Sequence, residues 1–355
     1  MSIDLIRFEM SSPEDTSALL DALVKADARN ASRIAIVAKT EGPATVNDFG
    51  RSLALNAIHA ALHKAGSHCP THIILSMGSE GLISPGGYLI VEDKKAEGGI
   101  AGLALGMARS APLAPSDLVN GRHIEIARDT ALKAIADAGI GVADVAIVLA
   151  KSPLLTHAMS AGLSDEQLAK VNVSSASRAA ASLGIGAALG EVPAAQAVSA
   201  AIGTRHELCA RRAMVFSGTE SEAMEIIVLG NRKGGPVAVR SGLAKDLIDI
   251  DGMAAVIAGG GQDAVAKARS LAASGAVAGV FLKAGVAPDG LIRGHRTTVF
   301  SSDLDPDKHM RAAASGVLGA LLGDTRFFIS GGAEHQAPPG GCILAAVLRE
   351  PQSRG

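Results

Sequence analysis

Tryptophan is absent from the 355-residue chain, and Tyr and Phe together number eight. Base-stacking platforms and aromatic cages need more aromatic faces than that. Charge of one sign is also missing: the net charge is −2, so the basic excess of a nucleic-acid binder is not there. No apolar run reaches the roughly 18 residues that span a bilayer, which argues against a membrane protein. The N-terminal stretch carries Asp4, Arg7 and Glu9 and does not read as a secretory leader. Cysteine is scarce too. Cys69, Cys209 and Cys342 are odd in number and lack metal-ligand spacing, so they read as reduced thiols of a cytoplasmic protein. What is abundant is apolar residues, at 48%, and glycine, at 41 residues. That composition buries a large core and supplies many tight turns.

Three short apolar runs end in lysine: Ile34 to Lys39, Ala146 to Lys151 and Gly279 to Lys283. Their length and β-branched content predict strands. Each is followed by a small-residue helix with an arginine in its early turns: Arg51, Arg178 and Arg311. Asp48, the Ser174–Ser177 stretch and Asp307 are placed to cap these helices. A second apolar strand then ends in serine, at Ser76, Ser217 and Ser330, and each serine enters a glycine turn with an acid nearby: Glu80, Glu220 and Glu334. The order Lys, Arg, Ser thus occurs three times, with 37, 66 and 47 residues from Lys to Ser. Insertions in surface loops account for the unequal spacing. The pattern reads as a triplication, with units at 1–104, 111–249 and 253–355. Linkers are expected at Pro112 to Ser116 and around Asp249 to Gly252.

A serine hydroxyl becomes a nucleophile when a base takes its proton. Neutral lysine serves if its pKa falls by roughly 2–3 units, about 3–4 kcal/mol, through burial and nearby positive charge. Three arginines in one pocket supply that charge and suit an acidic ligand. Glycine after the serine lets main-chain N–H groups face the pocket and hold a carbonyl or an oxyanion. Three such corners suit a small ring of near-threefold symmetry.

Other features read as structure. His59, His63, His68, Cys69 and His72 have a spacing that zinc could use, but the histidines fit the polar side of a helix. Gly184 to Gly190 superficially matches a dinucleotide loop and fits close helix packing better. Gly259 to Gly261 reads as a loop before a helix at Gln262 or Asp263, and Asp303 to Asp307 as a turn and cap.

The stretches Lys151 to Thr156, Ser177 to Gly184 and Ser330 to Gly341 resemble the cyanuric acid hydrolase and barbiturase family of ring-opening amidohydrolases, and the likeness runs over nearly the whole chain. The resemblance implies an α/β fold of three pseudo-threefold-related repeats around a central β-barrel-like core. It implies Ser217 as nucleophile and Lys151 as its base, with Lys39 and Lys283 supporting the other serines. It implies substrate contacts from Arg51, Arg178 and Arg311, from Ser76 with the Met77 N–H, from Ser217 with the Gly218 N–H, and from Ser330 with the Gly331 N–H. The implied reaction opens cyanuric acid to carboxybiuret, which yields biuret and carbon dioxide. The alternatives are barbiturase activity giving ureidomalonate, hydrolysis of a related cyclic imide, and a triplicated scaffold that binds such a ring without turnover. No cofactor is required, and the implied assembly is a homotetramer. Met77 stands where the family usually has glycine, which narrows the site and could shift substrate preference. Many members hold a structural Mg²⁺ or Ca²⁺, here through carbonyls of Ala333, Gln336, Ala337, Pro338 and Gly341. Gly285 stands where their acidic ligand is expected and offers no carboxylate, so the ion is expected to be absent.

Overall fold

The structure, a computed structural model, describes residues 2–42, 49–93, 99–171 and 174–349. Its strands are β1 (Ser2–Glu9), β2 (Arg33–Thr40), β3 (Thr71–Met77), β4 (Gly86–Asp93), β5 (Leu103–Pro112), β6 (Val145–Pro153), β7 (Ala213–Gly218), β8 (Ala223–Asn231), β9 (Val239–Ala244), β10 (Val277–Ala284), β11 (Leu291–Ile292), β12 (His295–Arg296), β13 (Phe328–Gly331) and β14 (Cys342–Leu348). Twelve of them form three four-stranded sheets, ordered β1-β4-β2-β3, β5-β8-β6-β7 and β9-β14-β10-β13. β11 and β12 form a separate two-stranded ribbon. The three sheets share one pattern of sense. The first pair in each order is antiparallel, the second pair is antiparallel, and the last is parallel.

A parallel pair needs a crossover, and a helix supplies it. Helices Gly50–Lys64, Ser174–Ala188 and Pro306–Leu322 lie between β2 and β3, β6 and β7, and β10 and β13. β5 belongs to the second sheet and β9 to the third, although Leu103 and Val239 fall before the expected starts of those units at 111 and 253.

The lysine-bearing strands β2, β6 and β10 are apolar on both faces because both faces are covered. One face packs on helices. The other meets its counterparts in a shared core containing Val37, Ile74, Leu149, Met214, Phe281, Phe328 and Ile343. The sheets remain open: among the described residues none closes into a barrel. The scarce aromatics are concentrated here. Tyr88, Phe281, Phe328 and Phe216 form a chain with centroid separations of 5.0, 6.0 and 5.1 Å. The Tyr88 hydroxyl donates to Val280 O (3.2 Å) and accepts from Val280 N–H (3.0 Å), joining the first sheet to the third.

Of the expected caps, Asp48 lies outside the described residues. The third helix is capped two residues before Asp307: Asp305 accepts from the N–H groups of Asp307 and Lys308, with Pro306 opening the helix. That displacement leaves the Asp307 carboxylate available for a tertiary contact. Ser177 lies inside its helix and is buried, where its hydroxyl donates to Pro153 O (2.7 Å) and meets Ser152 Oγ (2.7 Å). It thereby pins the end of β6 to the helix.

His59 and His63 are exposed on the helix Gly50–Lys64, and among the described residues no group of three or more His, Cys, Asp or Glu side chains is placed to hold a metal. All three cysteines are free, with Cys209 and Cys342 buried. No helix is long and apolar enough to cross a membrane among the described residues. Gly184 packs its helix against another, Arg122–Asp137, so closely that a Cβ there would lie 2.1 Å from Ile124 O. Gly184→Ala should therefore force the helices apart and cost about 1–3 kcal/mol, read from urea unfolding. A cost near zero would mean that the two helices can separate freely.

Candidate active site

The three arginines leave the first or second turns of their helices, and each pairs with a glutamate from a different sheet's turn. Arg311 binds Glu80 through Nε and Nη2 at 2.7 and 2.9 Å. Arg178 binds Glu334 at 2.7 and 2.6 Å and also reaches Asp307 at 3.1 Å. Arg51 approaches Glu220 at 3.1 Å through Nε. The helix of the third sheet thus holds the turn of the first, that of the first holds the turn of the second, and that of the second holds the turn of the third. The ring of ion pairs closes on itself. Its members are largely buried, where removing one partner strands a charge and costs about 3–5 kcal/mol.

The lysines reach the same level from inside the sheets. In the parallel pairs, Lys39 stands opposite Ser76 and Lys283 opposite Ser330. Lys39 Nζ lies 3.2 Å from Ser76 Oγ and donates to Met77 O at 3.3 Å. Lys283 Nζ lies 3.1 Å from Ser330 Oγ. The second sheet differs. Lys151 stands opposite Phe216, and Ser217 stands opposite Ser152. Lys151 Nζ meets Ser217 through the main-chain carbonyl (3.3 Å), donates to Leu75 O (2.8 Å) and forms an ion pair with Glu220. The expected Lys151–Ser217 hydroxyl contact is therefore not the one the fold makes. Side chains on a strand alternate between faces, so a one-residue offset exchanges them.

A signal for this offset is present in the chain. The glutamate follows Ser76 and Ser330 by four residues, but follows Ser217 by three and Phe216 by four. Glu220 also differs from its counterparts. Its two oxygens are divided between Lys151 and Arg51, one to each, whereas Glu80 and Glu334 are each held twice by one arginine.

Burial sets the electrostatics. All three lysines are almost wholly buried. Burial first, then the positive charge of Arg311, Arg51 and Lys151, holds Lys39 well below the usual lysine range. Burial first, then Arg178, does the same for Lys283. Lys151 is pushed down to about 8, because burial outweighs the attraction of Glu220. A lysine amine in its neutral form can accept a proton from a serine hydroxyl.

Arg51, Ser76, Met77, Arg178, Phe216, Ser217, Lys283, Asp307, Arg311, Ser330 and Gly331 border one cavity of about 360 Å³. Lys151 instead borders a neighbouring space of about 140 Å³ with Glu220 and Glu225. Asp307, expected only as a cap, borders this cavity, as do Phe216, Asp305 and Lys308, none of which the sequence pattern identified as a site residue. Met77 is accommodated, buried at the end of β3. At the corresponding Gly331 a Cβ would lie 2.5 Å from Asp307 O, so glycine is required there.

The carbonyls of Ala333, Pro338 and Gly341 already accept main-chain hydrogen bonds from Gln336, Gly341 and Gly285 respectively. With Gly285 in place of a carboxylate, this set does not fit a hard dication.

Below a pH of 10.5, the ordinary lysine value, lysines of the unfolded chain are protonated while Lys39 and Lys283 resist protonation in the fold. The unfolded state then binds more protons, so these groups make stability rise with pH between their depressed folded pKa values and 10.5. Lys283→Met should flatten the rise in Tm from about pH 7 to about pH 10. An unchanged slope would mean that Lys283 is charged and solvated in the folded protein.

The family described as an amidohydrolase ring-opening protein matches residues 4–349. A cyanuric acid amidohydrolase of Pseudonocardia dioxanivorans is 33% identical, covering 98% of both chains. One from a Bradyrhizobium species is 35% identical, covering 96% of both. A solved cyanuric acid hydrolase from A. caulinodans has a TM-score of 0.81 at 32% identity, covering 98% of this chain and 99% of that one. Another, presented as "evolutionary innovation by structural concatenation", has a TM-score of 0.83 at 27% identity with the same coverage. With the match running over nearly the whole length, this chain belongs to the ring-opening amidohydrolases and is a cyclic amide hydrolase.

Proposed function

We propose that the chain opens a six-membered cyclic imide of the cyanuric acid and barbituric acid class, using a serine activated by a neutral lysine. The observation that carries this reading is the Lys283–Ser330 contact of 3.1 Å at the edge of a cavity bordered by Arg51, Arg178 and Arg311. Lys283 itself lines that cavity. Ser330 Oγ attacks a ring carbonyl while its proton passes to Lys283 Nζ. The Gly331 N–H stabilises the oxyanion. The ring C–N bond then breaks, and the lysine proton goes to the departing nitrogen. Water hydrolyses the acyl ester to release a carboxylate. Cyanuric acid would give carboxybiuret and then biuret with carbon dioxide, and barbituric acid would give ureidomalonate. Ser76 with Lys39 and the Met77 N–H binds a second carbonyl, and the arginines, each balanced by a glutamate, border the ring as hydrogen-bond donors without adding net positive charge.

The same reading treats the chain as three pseudo-threefold units. Matching strand order supports it, and carries the unit starts back to include β5 and β9. It includes a cytoplasmic homotetramer, which light scattering on the purified protein tests.

A second reading keeps Lys151 and Ser217 as base and nucleophile. Ser217 lines the cavity, and Lys151, at a pKa of about 8, is 3.3 Å from its carbonyl oxygen. It requires Lys151 to leave Glu220 and the Ser217 hydroxyl to turn towards it.

Single serine variants separate the two readings. Ser330→Ala should lower kcat by about 10³-fold or more, and Ser76→Ala by about 10²-fold, measured as ultraviolet loss of the ring. Ser217→Ala should cost less than either. The largest loss at Ser217, matched by Lys151→Met, would establish the second reading instead.

A further inference from the structure

Resting on that functional reading, the second sheet specifies the substrate further. Three features make Phe216 the counterpart of Ser76 and Ser330. It stands opposite its sheet's lysine in the parallel pair, as they do. It precedes its sheet's glutamate by four residues, as they do. It borders the same cavity. Where the other two sheets set a hydroxyl opposite the lysine, this sheet sets a buried aromatic ring there, and Ser217, which also borders the cavity, stands opposite Ser152 and away from the lysine. The ring packs edge-on against Phe328 at 5.1 Å and lies beneath Lys283 Nζ at 4.6 Å. The remaining peculiarities of this sheet follow from the same change. Lys151, with no hydroxyl opposite it, turns to Glu220, and Glu220 gives up the two-point hold on its arginine that the other pairs keep.

We propose that Phe216 makes the third corner of the site apolar, so that the enzyme prefers six-membered cyclic imides with two carbonyl corners and a hydrocarbon third corner over rings with three carbonyls. Glutarimide and 5,6-dihydropyrimidine-2,4-dione have that pattern, since two alternate ring positions are carbonyls and the third is a methylene. A third carbonyl pressed against Phe216 loses its hydrogen bonds to water without gaining the serine donor, which disfavours it about tenfold to a hundredfold. A methylene gains the contact. The chemistry is the same acyl transfer: one imide C–N bond breaks, one water is consumed, and the products are a carboxylate, a proton and an amide.

The test compares kcat/KM for cyanuric acid, barbituric acid, glutarimide and 5,6-dihydropyrimidine-2,4-dione by liquid chromatography, using wild type, Phe216→Ser and Phe216→Leu. Wild type should favour a two-carbonyl ring over cyanuric acid by at least about tenfold, Phe216→Leu should keep that order, and Phe216→Ser should shift it towards cyanuric acid by at least about tenfold. Phe216→Leu preserves an apolar corner and decides the matter if Phe216→Ser fails to fold. Cyanuric acid as the best substrate of wild type and of Phe216→Leu would overturn this inference and leave the ring-opening reading standing. No turnover of any ring by wild type would overturn both.

Discussion

The closed ring of arginine and glutamate pairs is the constraint on which the site depends. Each sheet is an open four-stranded unit that could cover its inner face in several ways. Arg51, Arg178 and Arg311 each hold a turn from another sheet, which fixes the three strand ends at one level. Because the pairs are buried, a shift of one unit would leave a guanidinium and a carboxylate unpartnered. The apolar core beneath supplies cohesion, but apolar packing is non-directional and tolerates sliding. The ion pairs supply the direction.

That geometry also sets the reactivity of the lysines. Their strands must be apolar on both faces, because helices cover one and the shared core the other. A lysine at the end of such a strand is cut off from water. The arginines above then oppose its protonation, and the nearby glutamates oppose them in turn. For Lys39 and Lys283 burial wins and a serine hydroxyl lies opposite. For Lys151 the partner is Glu220, whose charge opposes the effect of burial. The same position in three sheets therefore has two kinds of partner, a serine hydroxyl in two and Glu220 in the third, where Phe216 stands opposite the lysine.

The mixed α/β class and the threefold order of Lys, Arg and Ser were legible in the chain, whereas the expected barrel-like core is not what the open sheets form among the described residues. Strand-length apolar runs, small-residue helices and glycine turns are local patterns, and each reflects local backbone preference and burial. The helix packing at Gly184 was legible for the same reason. The roles of Glu80, Glu220 and Glu334 were not, beyond their nearness to the serines, because their arginine partners lie 156 to 231 residues away in sequence and no short-range pattern announces such pairs. Asp307 looked like a cap because it opens a helix; Asp305 does that work, and Asp307 turns to Arg178.

Ser217 marks the boundary between the two kinds of knowledge. Sequence alone determined that a serine and a glycine follow an apolar strand there, as in the other two units, because composition and turn chemistry are local. Which residue faces the lysine is a matter of register, and register is set when two strands pair. A shift of one residue exchanges the faces of a strand while leaving its composition unchanged. Only the pairing of β6 with β7 puts Phe216, and not Ser217, opposite Lys151.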